Sequence, residues 1–259
     1  MFKLKHLFVA LPLTMSLVGC GPEDLQDEQS GQNLEPQSEL GTIEEELPFS
    51  HADNWTAPAP ASPLGSTAGR VCFLIRIQGR FDSAVDSVHV FTSGGSWYVG
   101  GSGATSARAG CAKLPAGESF GSERHWNAGQ RYPTELGSTT GRVCFLSRVG
   151  GAFNSAADWV RVYPSGGSWF LFGDSQSGTG YARARCVSVP ASGGDRGWGQ
   201  TQGFPTHLGT TSNRSCALAY MTGRFDSMSE SINIFSDTGS WYLSGTSAQS
   251  WVGGRAQCF

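Results

Sequence analysis

Three aromatic pairs and three arginines return at matching places along this chain of 259 residues, and both are residue types that hold ligands. The pairs are Phe91/Tyr98, Tyr163/Phe170 and Phe235/Tyr242, each 72 residues after the last; Arg108, Arg183 and Arg255 stand three residues before Cys111, Cys186 and Cys258. A flat aromatic surface stacks on a sugar ring, with His89, Arg161 and Asn233 beside it to supply hydrogen bonds. A guanidinium meets an anionic sugar or a phosphate through two parallel hydrogen bonds. Each feature also has a structural reading: a cross-strand aromatic pair braces a sheet by about 0.2–1 kcal/mol, and the opening segment of each unit can cover it. An acid recurs at Asp86, Asp158 and Glu230, four residues after Asp82, Asn154 and Asp226. Two such side chains fall short of the six to eight oxygens that calcium takes. These acids are therefore expected to cap turns and to pair with Arg70, Arg142 and Arg214 or with the arginines before the closing cysteines.

The elements that must position these groups are repeated with them. Cys72, Cys144 and Cys216 keep the step of 72, as do Trp97, Trp169 and Trp241, so one unit is written three times. Each opens on a tryptophan, a proline and a Leu-Gly step, from Trp55, Trp126 and Trp198. A period of this length marks a small supersecondary unit in tandem and favours repeated contact over one catalytic pocket. Within a unit the pattern is β throughout. An apolar run such as Arg70 to Ile77 leads to a turn at Phe81-Asp82-Ser83, and Gly-Gly between Ser93 and Ser96 offers a two-residue hairpin turn. That turn pairs Thr92 with Trp97, Phe91 with Tyr98 and Val90 with Val99. Val88, Val90, Trp97 and Val99 then share one face, and His89, Phe91 and Tyr98 the other. Trp97, Trp169 and Trp241, on the aliphatic face, are expected in the core.

Six cysteines divide two per unit, as Cys72/Cys111, Cys144/Cys186 and Cys216/Cys258, a pattern that lets each unit close alone. Head-to-tail pairing, Cys111 to Cys144 and Cys186 to Cys216, respects the repeat as well. Closing a loop of roughly 40 residues is worth about 4 kcal/mol in the chain-entropy model. No two lie at the Cys-x-x-Cys spacing that zinc sites use, so neither a metal nor a cofactor is expected. Of the histidines outside the first twenty residues, His51, His89, His125 and His207, none keeps its place across the units. With no nucleophile-elbow, zinc-helix or phosphate-loop pattern, the chain does not read as an enzyme.

The seventh cysteine, Cys20, follows Lys3, Lys5 and an apolar run from Leu7 to Val18, which reads as an export signal too short to span a bilayer. Leu17-Val18-Gly19-Cys20 resembles the lipobox of bacterial lipoproteins. The resemblance implies cleavage before Cys20, acylation of its thiol and new amine, and, with Gly21 in place of a retention aspartate, the outer membrane. Two or more acyl chains anchor stably. Between Cys20 and His51 lie nine acids and no base; such a stretch reads as a disordered tether, a coil of roughly 30 Å. From Asn54 onward sixteen bases face eleven acids, a modest excess that argues against nucleic acid as a partner. The unit, with Cys-Phe-Leu near its start and Ser-Gly-Gly-Ser-Trp in its hairpin, is similar to tandem modules of bacterial surface proteins and phage tail tips, which implies adhesion. The third unit departs from the pattern at Ala217 and Thr238.

The expectation is an all-β chain: signal 1–19, disordered tether 20–53, then three tandem disulfide-stapled antiparallel modules at 54–114, 125–188 and 197–259. It would be exported, lipid-anchored through Cys20 at the outer membrane or cell surface, and would bind polysaccharide, cell wall or a surface protein through the aromatic pairs and arginines. The competing expectations are a structural envelope or coat component, and a secreted hydrolase or toxin.

Overall fold

The hairpins close in the register that the Gly-Gly turns dictate. Thr92 faces Trp97, Phe91 faces Tyr98 and Val90 faces Val99, with Gly94 and Gly95 both at positive φ, 55° and 77°. Val88, Val90, Trp97 and Val99 are buried, while His89, Phe91 and Tyr98 on the opposite face are half-buried. The same alternation recurs 72 and 144 residues on. The computed structural model describes residues 49–249 and 251–259; the signal 1–19, Cys20 and the acidic stretch to residue 48 lie outside them.

Each unit gives six strands. The first gives β1 (Phe49–Thr56), β2 (Ser62–Ser66), β3 (Arg70–Arg80), β4 (Ser87–Ser93), β5 (Ser96–Ser102) and β6 (Ala104–Lys113). The second gives β7 (Arg124–Asn127), β8 (Thr134–Ser138), β9 (Val143–Gly150), β10 (Trp159–Ser165), β11 (Ser168–Asp174) and β12 (Tyr181–Val187). The third gives β13 (Arg196–Gly199), β14 (Thr206–Thr210), β15 (Cys216–Thr222), β16 (Ser231–Asp237), β17 (Ser240–Thr246) and β18 (Gly253–Cys258).

These strands form three six-stranded antiparallel sheets, and no sheet belongs to one unit. Sheet I runs β2-β5-β4-β9-β12-β7, sheet II β13-β18-β15-β10-β11-β8, and sheet III β1-β6-β3-β16-β17-β14. Each unit thus sends three strands to one sheet and three to the next. The seams are short: Val88 pairs with Val149 in sheet I, Val160 with Met221 in sheet II and Ile232 with Ile77 in sheet III. The disulfides follow the within-unit pattern, each joining directly opposed residues of β3/β6, β9/β12 or β15/β18. A unit is therefore stapled within itself and yet does not close alone, because two of its six strand ladders end on a neighbour. Three disulfides suit an oxidising, extracellular setting. Among the described residues no helix is long and apolar enough to cross a membrane.

The three sheets meet around a pseudo-threefold axis. The Phe153 amide donates to the Phe81 carbonyl, Phe225 to Phe153 and Phe81 to Phe225, at 2.6–2.7 Å, closing a ring of backbone bonds. A second ring links Gly79 to Glu230, Gly151 to Asp86 and Gly223 to Asp158. These glycines hold φ of 119°, 90° and 104°, and a Cβ on any of them would sit within 2.4 Å of a backbone oxygen, so only glycine fits. Phe73, Phe145 and Phe259, one from each unit, also pack their rings together at 5.4–5.8 Å.

Two expectations are corrected. The tether does not extend to residue 53, since 49–53 belong to β1, where Phe49 packs edge-on against Trp241 at 4.9 Å. Two of the three recurring acids cap turns, and none makes an ion pair with the recurring arginines among the described residues. Asp86 accepts the amides of Asp82 and Ser83, and Asp158 those of Ser155 and Gln176. Glu230, one methylene longer and fully buried, has no hydrogen-bond partner on either oxygen. Arg70, Arg142 and Arg214 bond instead to the carbonyls of Leu64, Leu136 and Leu208, which fixes the Leu-Gly step of each unit. The indole N–H groups of Trp97, Trp169 and Trp241 donate to the carbonyls of those arginines, which explains why both repeat.

Candidate binding faces

The aromatic pairs lie half-buried on the outer face of each sheet. Phe91 and Tyr98 stack at 5.6 Å on sheet I, Tyr163 and Phe170 meet at 5.9 Å on sheet II, and Phe235 and Tyr242 stack at 5.5 Å on sheet III. Side groups extend each surface: His89 stacks on Phe91, Arg161 lies over Tyr163, and His207 meets Tyr242 edge-on. The opening tryptophans do not cover these pairs. Trp55, Trp126 and Trp198 are buried against Gly101, Gly173 and Gly245 of the neighbouring sheet, filling the corners between sheets.

Strand exchange changes which arginine accompanies which pair. Arg183 shares sheet I with Phe91 and Tyr98 of the preceding unit, Arg255 shares sheet II with Tyr163 and Phe170, and Arg108 shares sheet III with Phe235 and Tyr242. Each face is a composite of two units. Across the strand from these arginines stand Arg148, Tyr220 and Arg76, and beyond them, over the seam, His89, Arg161 and Asn233. The expected hydrogen-bonding neighbours thus fall into one row with the arginines.

Two acids that lie between the expected module bounds organise this row. Glu123 bonds to His89 and Arg183, each at 3.1 Å, with Arg185 at 3.6 Å; Asp195 bonds to Arg161 at 2.7 Å and Arg255 at 3.0 Å. The signal available in the sequence is an acid three residues before Trp126 and Trp198. In the first unit that place belongs to Ala52, which β1 sets opposite Gly110. Sheet III instead sets Arg76 directly across from Arg108. Burial, and then the charge of Arg108, lower the proton affinity of Arg76, which hydrogen-bonds to Gln78.

Electrostatics single out Glu123. Burial alone would raise its carboxyl, but the hydrogen bond and charge of His89 and the charge of Arg185 outweigh burial and hold it at about 2. Burial also lowers His89 below 6.5, so at neutral pH the ring is uncharged, and it gains its proton, and its grip on Glu123, only as the solution turns acid. A depressed carboxyl contributes stability that is complete above its unfolded value near 4.5 and disappears as pH falls through about 2. Glu123→Gln should therefore cost on the order of 2 kcal/mol in mild acid, where His89 is protonated and Glu123 still ionised, with the gap to the parent protein closing toward pH 2. Urea denaturation at pH 6, 4 and 2 measures this; a gap that stays constant with pH would contradict the assignment.

Two cavities open at equivalent places beside these rows. One of about 350 Å³ on sheet I is lined by His125, Asn127, Arg148, Tyr181, Ala182 and Arg183. The other, about 470 Å³ on sheet II, is lined at the matching repeat positions by Gly197, Gly199, Tyr220, Gly253, Gly254 and Arg255, with further residues around them. In the first, Arg148 lies over the Tyr181 ring and bonds to its hydroxyl, so a cation and an aromatic plane occupy the floor. In the second, glycines replace His125, Asn127 and Tyr181, and the space is correspondingly larger. Among the described residues no cluster of His, Cys, Asp and Glu is arranged to hold a metal ion. No protein-family model, characterised protein or solved structure matches the chain.

Proposed function

We propose that the chain is a lipid-anchored surface protein, held to the bacterial outer membrane through Cys20, whose three-faced head binds extracellular glycan or cell-wall polysaccharide. The observation that carries this reading is the threefold recurrence, on outward faces, of a half-buried aromatic pair beside a row of hydrogen-bonding cations. A core residue has no need of that placement. Planar aromatic surface and guanidinium groups are what a polyhydroxylated chain offers to bind against. Three weak faces on one rigid head act together on a polymer, and linking binding events in this way raises avidity by about 10²–10⁴ without any new contact.

The test disables faces singly and together by replacing Phe91 and Tyr98, Tyr163 and Phe170, or Phe235 and Tyr242 with serine. On immobilised envelope polysaccharide, affinity should fall at least tenfold for each face lost. For a short oligosaccharide, only the number of sites should fall. Equal losses on polymer and oligomer would remove the case for multivalency, and no binding by the intact head would remove the glycan reading.

A further inference from the structure

The larger cavity on sheet II continues past its own edge. A second cavity of about 190 Å³ lies on the other side of Trp198 and Gln200, which line both, and extends toward Phe204, Ser244 and Gly245 on the way to sheet III. Together they make a groove around one corner of the head. Its two ends carry the most exposed aromatic residues of the third unit, Trp251 at 68% and Phe204 at 66%. Exposed large aromatic residues at both ends of a concavity are a feature of ligand sites rather than of packing.

The polar groups along this groove are those that recognise hydroxyls. Gln200 lies in the middle, and its Oε1 has no hydrogen-bond partner. The terminal amide torsion is broad, so a small rotation turns that oxygen onto a donor. Arg255 lies at one side, but its charge is already met by Asp195 at 3.0 Å, which leaves it able to donate hydrogen bonds while offering an anion little. β13 is an edge strand of sheet II, so part of its backbone has no ladder partner in the sheet. A Cβ at Gly199 would meet nothing within 4 Å, so open space rather than packing lies over that strand.

We infer that this corner groove of the third unit is a subsite for a neutral saccharide of two or more rings, stacked on Trp251 and Phe204 and hydrogen-bonded by Gln200 and Arg255. The inference rests on the glycan-binding reading and narrows it: the three faces share a plan, and the third unit sets this pair of cavities around a glutamine. In the second unit Asn127 stands for Gly199, Ala128 for Gln200 and Arg131 for Gly203. Those replacements narrow the space, take the amide from the middle position and add a charge.

The experiment uses the full chain and a panel of neutral disaccharides, cellobiose, maltose, lactose and N,N′-diacetylchitobiose, beside a uronate-containing disaccharide, read by saturation-transfer NMR and calorimetry. At least one neutral disaccharide should bind, and Trp251→Ala and Gly199→Asn should each weaken it tenfold or more. Gly199 has an extended backbone, φ −136°, that asparagine adopts without strain, so this variant should fold as the parent does. Replacing Tyr132, an exposed aromatic residue of the second unit that belongs neither to the groove nor to an aromatic pair, with alanine should leave disaccharide binding unchanged. The inference is overturned if no neutral disaccharide binds, if the uronate is preferred, or if Gly199→Asn binds as tightly as the parent. Retained binding to polysaccharide in any of those cases would show that the faces, and not the groove, hold the glycan.

Discussion

Replacing Phe259 with alanine should cost the head about 3–5 kcal/mol, the range for truncating a fully buried phenylalanine. The position is informative because of what faces it. The first two units carry Phe73 and Phe145 immediately after their first cysteine, and the third carries Ala217. After the second cysteine the sizes reverse, with Ala112 and Val187 in the first two units and Phe259 in the third. Phe259 packs against Phe73 and Phe145 and is 1% exposed, so it supplies, from just past the end of β18, the third ring that β15 lacks. It also exchanges two backbone hydrogen bonds with Ser215, which the alanine variant keeps. Adding Ala217→Phe to Phe259→Ala restores the arrangement of the other two units and should recover at least half of the loss. Denaturant titration of the parent, both single variants and the pair gives the coupling energy directly. If the two changes prove additive, the swap of volumes is not what the packing depends on.

An excised unit, residues 125–188 for instance, should show no cooperatively folded monomer. In the intact head β9 pairs with β4 of the first unit and β10 with β15 of the third, so excision bares a ladder edge on each half of the unit. It also opens both rings of backbone bonds around the axis and exposes Phe145 and Phe153, which are fully buried. The disulfide between Cys144 and Cys186 restrains the unfolded chain but cannot replace that missing core. Amide NMR dispersion and light scattering would show a collapsed or unfolded monomer, or an assembly of three that rebuilds the head. A dispersed monomeric spectrum would refute the claim that the sheets are obligately shared. The prediction also bears on how multivalency is tested, since faces have to be removed by substitution and not by cutting the chain into units.

Much of the local structure was legible in the residues. Gly94-Gly95 fixed the hairpin register, alternation placed Val90 and Trp97 inside and Phe91 and Tyr98 outside, and the repeat favoured the within-unit disulfides. Exchange of strands was not legible, because alternation says which face of a strand is buried but not which strand lies beside it. Each seam rests on three residue pairs whose side chains would suit a neighbour from either unit. The composite character of the faces was hidden for the same reason. Glu123 and Asp195 sit in stretches rich in glycine and serine, where an acid carries no positional signal until β12 and β18 bring the arginines alongside. The departure at Ala217 was visible in the sequence, but its compensation at Phe259 lies across a strand pair.

The ring of amides joining Phe81, Phe153 and Phe225 has a consequence for growth by duplication. Open arrays of repeats lengthen freely, since each new member docks on the last and leaves a fresh end. Here the third unit has already docked on the first, so a fourth copy could enter the ring of seams only by breaking one of them. The copy number is set by closure, and a protein built this way can diversify its corners and faces but cannot acquire another.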